Sequence, residues 1–109
     1  MNLREQAHSA FAARDWERAY DAFVTAELLE GADFDALGEC AHWLGRAEEV
    51  IAAYTEGFRR HCEAGEGAKA ALSAFMLAIY YRVGGEPRHA DGWLSRAQRQ
   101  LDEAEEGPE

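Results

Sequence analysis

Three segments of this 109-residue chain carry the same spacing of side-chain sizes: Ala19, Phe23 and Ala26; Val50, Tyr54 and Gly57; Ala90, Leu94 and Ala97. A small or medium residue is followed four places on by a large one, and three further by alanine or glycine. Steps of four and three return to one face of an α-helix, whereas a strand would scatter the same residues over both of its faces. Alanine and glycine on that face let a second helix approach closely, and the large residue fills the space between helix pairs. The anchors Ala19, Val50 and Ala90 lie 31 and 40 residues apart. One helical unit therefore recurs, and such a unit buries its apolar face only by stacking on the next. Composition agrees: 22 alanines stand against seven Val, Ile and Thr residues, and alanine loses no side-chain entropy in a helix where β-branched residues do. An all-α fold is expected.

The apolar stepping divides the chain into six helices in antiparallel pairs. Leu3, Ala7, Ala10 and Phe11 mark the first, Arg14-Asp15-Trp16 interrupts, and Ala19, Tyr20, Phe23 and Ala26 mark the second, which is read through Leu28 and Leu29 to a stop at Gly31. Asp33 or Asp35 is expected to cap a third helix carrying Leu37, Ala41 and Leu44 and broken at Gly45. Val50, Ile51, Tyr54 and Phe58 mark a fourth running toward Ala64. Gly65-Glu66-Gly67 is the clearest loop. A fifth helix spans Ala68 to Val83, and Pro87, whose missing N–H is harmless in a first turn, opens a sixth to about Leu101. The expected organisation is one domain over residues 1–101, in repeats of about 2–31, 33–64 and 68–101, followed by an acidic, disordered tail over 102–109.

These segments resemble tetratricopeptide repeats, helix-turn-helix units of roughly 34 residues. The family's small-large-small signature falls on the residues above. Its Leu-Gly pair is matched by Leu37-Gly38, its first-helix aromatic by Tyr81, and its turn glycine by Gly45 and Gly85. The chain departs from the pattern where Arg14 replaces the turn glycine, where Ala10 replaces the aromatic, and where Gly31, Cys62 and Asp102 replace the closing proline. The resemblance implies antiparallel helix pairs stacked as a three-repeat, right-handed superhelix, an α-solenoid; an irregular six-helix bundle is the alternative. The run Ala47 to Phe58, Ala41-His42-Trp43-Leu44-Gly45-Arg46 and Gly92-Trp93-Leu94-Ser95-Arg96-Ala97 are also similar to the N-terminal helical repeats of high-GC bacterial regulators of the LuxR type. Ten arginines against one lysine fit such a genome. In those proteins the repeats sense or hold a partner while a separate domain binds DNA, so the resemblance suggests a regulatory context.

Charge excludes one role. With 11 basic against 21 acidic residues the chain carries −10 at pH 7 and would repel nucleic-acid phosphates. The longest uncharged run, Ala70 to Tyr81, falls well short of the roughly 20 apolar residues that cross a bilayer, and the start Met1 to Glu5 lacks the apolar stretch of a secretory signal. No membrane contact and a cytoplasmic location are expected. Cys40 and His42 would sit about 200° apart around a helix, and His61 and Cys62 about 100°, so neither pair converges on a metal as residues four apart would. No glycine-rich phosphate loop is present. No metal, cofactor or catalytic site is expected, and the chain does not read as an enzyme.

If the first helix of each pair lines the inner surface, as the resemblance implies, a groove would hold Arg4, His8 and Phe11, then Asp35, Glu39, His42 and Trp43, then Phe75, Ile79 and Arg82. Family members that clamp a peptide's terminal carboxylate use Lys, Asn and Arg at fixed groove positions. Here those places hold Asp35, Glu39 and apolar residues, so that clamp is absent. Trp43 and Phe75 inside an acidic rim suit an apolar or basic segment of a protein partner. The fifth helix carries Leu72, Phe75, Met76, Leu77, Ile79, Tyr80, Tyr81 and Val83 around most of its circumference, and is expected to be covered on two sides. With no seventh helix to cap the sixth, Met76, Tyr80, Trp93, Leu94 and Leu101 form the expected self-association surface of a possible homodimer. The expected function is non-enzymatic protein–protein interaction. The alternatives are a dimerisation unit whose partner is its own second copy, and a small-ligand sensor around Trp43, Phe75 and His8.

Overall fold

The computed structural model describes residues 1–105, which form six helices and no strand: α1 (Leu3–Ala12), α2 (Trp16–Thr25), α3 (Gly31–Trp43), α4 (Ala47–Glu63), α5 (Gly67–Val83) and α6 (Pro87–Glu105). The all-α expectation and the six-helix division are met. Asp102 to Glu105, expected in a tail, extend α6; residues 106–109 lie outside the described residues.

Four of the five connections are the same three-residue turn. In each, the second turn residue has a positive φ (Arg14 at 60°, Gly45 at 72°, Gly65 at 73°, Gly85 at 81°). The residue after it donates its N–H to the carbonyl five positions back: Asp15 to Ala10, Arg46 to Ala41, Glu66 to His61 and Glu86 to Tyr81, at 2.8 to 2.9 Å. This pattern satisfies carbonyls that a helix end leaves unpaired, and the left-handed residue at its centre favours glycine. Gly65 belongs to such a turn rather than to a longer loop. The extra length of the chain's second half lies in the 17-residue helices α4 and α5. Arg14 adopts the glycine conformation with a side chain, which costs roughly 1 kcal/mol. We expect Arg14→Gly to raise the thermal midpoint by a few degrees in a calorimetric melt, and Gly45→Arg to lower it.

The connection between α2 and α3 is different, and it corrects one expectation. The second helix stops at Thr25, the chain turns extended at Ala26, and Leu28 takes φ 59°. Gly31 is the first residue of α3 rather than the end of α2. A Cβ there would lie 2.6 Å from the His61 ring of α4, so this glycine serves close helix approach. The cap of α3 comes from Asp33, whose Oδ2 accepts the Glu30 N–H at 2.7 Å from inside the first turn.

Each helix packs on the next in sequence. The principal extents, 39 × 39 × 19 Å, make the molecule about two helix diameters thick. Its core is divided in chain order. Ala7, Ala10, Ala19, Phe23 and Cys40 join α1, α2 and α3. Ala41, Val50, Tyr54 and Leu77 join α3, α4 and α5, and Ala71, Ala74 and Ala97 join α5 to α6. The anchors Ala19, Val50 and Ala90 are all completely buried.

The fifth helix inverts the usual arrangement. Its buried face is Ala70, Ala71, Ser73, Ala74 and Ala78 with one large residue, Leu77; the small residues let α4 and α6 close on it from two sides. Its large residues Leu72, Phe75, Ile79 and Val83 are 63%, 47%, 42% and 84% exposed. The helix is covered on two sides, by α4 and α6, and Leu77 is buried while Met76, Tyr80 and Tyr81 are half-buried; the row Leu72, Phe75, Ile79 and Val83 stays uncovered. Trp93 of α6 is half-buried and meets Phe58 edge-on at 5.2 Å, with the Arg96 guanidinium 4.4 Å over its ring.

Candidate functional site: a cleft floored by α3

An open cleft of about 490 Å³ lies between α1 and α5, with α3 between them. His8 and Phe11 come from α1, Leu72, Ser73 and Met76 from α5, and Tyr54 from α4. From α3 come Ala32, Asp35, Ala36 and Glu39. The floor is open because residues 32 and 36 are alanines one turn apart, and residues 35 and 39 stand beside them on the same stretch of helix.

Two histidine–carboxylate pairs hold the walls in place. Asp33 is wholly buried. Its Oδ1 lies 2.5 Å from His8 Nε2, and its Oδ2 accepts from Arg4 Nε at 2.9 Å as well as from the Glu30 N–H. Burial by itself pushes the Asp33 carboxyl up, but the hydrogen bonds from the Glu30 backbone, His8 and Arg4 outweigh it and hold the group below the usual aspartate range. This knot ties α1 to the start of α3.

The second pair is Asp35 with His61. Asp35 Oδ2 lies 2.7 Å from His61 Nε2, and its Oδ1 accepts from the Ser73 hydroxyl at 2.7 Å. His61 is 1% exposed, and its other ring nitrogen is 3.2 Å from Glu66 Oε1. Space for this network comes from glycines: a Cβ on Gly57 would stand 2.6 Å from Asp35 Oδ1, as one on Gly31 would from the His61 ring. Ser73 donates to the carboxylate and does not touch the histidine, so the three residues do not form a nucleophile–base relay. They join α3, α4 and α5 at the cleft's edge.

The cleft gathers His8, Phe11, Asp35 and Glu39 from the groove expected on sequence grounds. The other expected groove residues lie elsewhere. Arg4 is engaged with Asp33 and Glu30 at the end of α1, and Arg82 pairs outward with Asp91 of α6 at 2.9 Å. His42 Nδ1 meets the Tyr80 hydroxyl at 2.8 Å. Trp43 is exposed at the end of α3, its ring stacked on Trp16 at 5.9 Å. Phe75 and Ile79 are exposed on α5, in the row that begins at Leu72 on the cleft wall.

The expected self-association residues are also dispersed. Met76 lines the cleft, Tyr80 bonds to His42, Trp93 faces inward to Phe58, Leu94 is half-buried, and Leu101 is exposed. The sequence reading gave no part in the site to His61, Ser73 or Leu72, and gave Asp33 only the cap of α3. The signal for the Asp35–His61 pair is two glycines in helices, Gly57 against Asp35 and Gly31, at the start of α3, against His61, which cost helix stability and so mark close contacts.

Burial raises the Cys40 thiol to about 11, with the nearby Glu39 charge adding to it, so it lacks the thiolate character that reactive cysteines need. Among the described residues no group of three His, Cys, Asp or Glu side chains is placed to hold a metal, and no helix is long and apolar enough to cross a membrane. Compared with known proteins, no family model matches the chain, and no curated protein matches it.

Proposed function

We propose that this chain is a tetratricopeptide-like, non-enzymatic interaction module that holds a segment of a protein partner in the cleft between α1 and α5. The observation that carries this reading is the inversion of α5: Leu72, Phe75 and Ile79 lie in a row on an exposed face that begins, at Leu72, on the wall of the cleft of about 490 Å³. Large exposed apolar rows rimmed by polar groups mark interaction surfaces. The stacked-repeat architecture is supported by the equivalent burial of Ala19, Val50 and Ala90 and by the matching turns at Arg14, Gly45 and Gly85. The regulator-like segments around Trp43 and Trp93 favour a regulatory setting and a cytoplasmic one.

Selection of peptides from a random displayed library, followed by chemical-shift mapping on the labelled chain, tests this reading. Shifts concentrated at His8, Phe11, Leu72, Phe75 and Met76 are the expected result. Shifts confined to α2, α4 and α6, or a library that yields no binder, would overturn it. A homodimer is the weaker reading, since Trp93 turns inward and each copy carries −10.

A further inference from the structure

The charges in the cleft do not balance. Asp35 and Glu39 stand one turn apart on α3, and both line it, yet no lysine or arginine does. Asp35 is answered by His61 and Ser73. Glu39 is half-buried and, among the described residues, has no ion-pair partner and no side-chain hydrogen bond. Like charges four residues apart on a helix repel, and partial burial strips water from a carboxylate that has nothing to replace it. A positive charge brought to this point would relieve both penalties.

Tyr54, which lines the cleft next to α3, feels both carboxylates. The Tyr54 phenol is pushed up to about 12, by burial first and then by the charges of Asp35 and Glu39. Around the acid the walls are apolar, with Phe11 on one side and Leu72 and Met76 on the other. The exposed row from Leu72 to Val83 then runs on for about 16 Å along α5 at ~1.5 Å per residue. A second copy of this chain would bring another −10 to an acidic face, so charge complementarity selects a basic occupant instead.

Resting on the reading of the cleft as a partner site, we propose that its occupant is a segment of a protein partner in which an arginine or lysine, flanked by leucine-sized residues, pairs with Glu39 beside Asp35. The apolar flanks lie along Leu72, Phe75 and Ile79, and the cation sets specificity.

Fluorescence anisotropy with three labelled twelve-residue peptides tests this. The first carries leucines with arginine at every fourth position, the second has glutamine for arginine, and the third has serine for leucine. They are titrated against the full chain, Glu39→Gln, a Leu72→Ser/Phe75→Ser double variant, and Glu48→Gln. The last makes the same charge change at an exposed position on α4 outside the cleft.

The arginine peptide is expected to bind about tenfold more tightly than the glutamine peptide. Glu39→Gln should erase that preference, and Glu48→Gln should keep it. Equal binding of the arginine and glutamine peptides, or equal losses in Glu39→Gln and Glu48→Gln, would overturn the cation proposal while leaving the cleft standing. Unchanged binding to the Leu72→Ser/Phe75→Ser variant, or serine and leucine peptides binding alike, would overturn the cleft reading itself. A dimer in sedimentation that this double variant abolishes would assign the face to a second copy and overturn the proposal.

Discussion

Asp33→Ala should lower unfolding stability at pH 7 by about 3 kcal/mol, near the cost of breaking a buried charged pair, read as a shift in the urea midpoint with unchanged slope. The carboxylate is wholly buried and receives three donors: the Glu30 N–H at 2.7 Å, Arg4 Nε at 2.9 Å and the His8 ring. Its removal leaves the Glu30 N–H without its partner at the start of α3 and unties α1. Arg4 and His8, each 44% exposed, recover water, which keeps the loss from being larger. Asp33→Asn keeps an acceptor for the cap and should lose less.

The pH dependence has a definite sign. The folded-state pKa of Asp33 is lowered from 3.8. Its contribution is therefore fully present well above 3.8 and is lost as pH falls below 3.8 through the folded value. The gap between wild type and Asp33→Ala should narrow in acid, and a gap that stays constant down to pH 2 would count against the ion-paired account of this residue.

The same substitution, glycine to alanine, should have opposite signs in two helices. In α6, Gly92 has open space where a Cβ would stand, so Gly92→Ala should stabilise by about 1 kcal/mol through helix propensity and a less flexible unfolded chain. In α3, a Cβ on Gly38 would lie 2.6 and 2.8 Å from two ring carbons of Tyr54. That ring packs with Ala41, Val50 and Leu77, contacts it would have to give up to make room. Overpacking of this kind costs about 1–3 kcal/mol, which outweighs the propensity gain. Gly38→Ala should lower the melting temperature by several degrees, and Gly92→Ala should raise it. If both variants moved the midpoint upward, the close approach of α3 to α4 would be wrong.

Local spacing carried much of the fold. Ala19, Val50 and Ala90 read as equivalent on spacing alone, and all three are completely buried. Gly45 and Gly85 read as turn residues, and both hold a positive φ. The site was legible in part. His8, Phe11, Asp35 and Glu39 were expected on an inner surface from the repeat resemblance, and they line the cleft. Arg82 could not be distinguished from them, because its pairing with Asp91 depends on how α6 folds back along α5. Asp33 and Asp35 look alike in sequence, two acids separated by one residue. One points back into the knot with α1, and the other reaches across to α4 and α5.

What the residues decided by themselves is the list of helices and most of their ends, since an apolar step of three or four and a left-handed turn residue are properties of a dozen neighbouring positions. Which face of each helix meets which neighbour was decided only by the packed molecule. The contacts that choose it join residues 25 to 38 positions apart: His8 with Asp33, His61 with Asp35, Ser73 with Asp35, His42 with Tyr80. On α5 both faces are apolar, so periodicity offers no preference between them. Alanines fill most of the interior face, with Leu77 among them, because small side chains let α4 and α6 close on one helix from two sides. That choice left Leu72, Phe75 and Ile79 in the open beside the cleft.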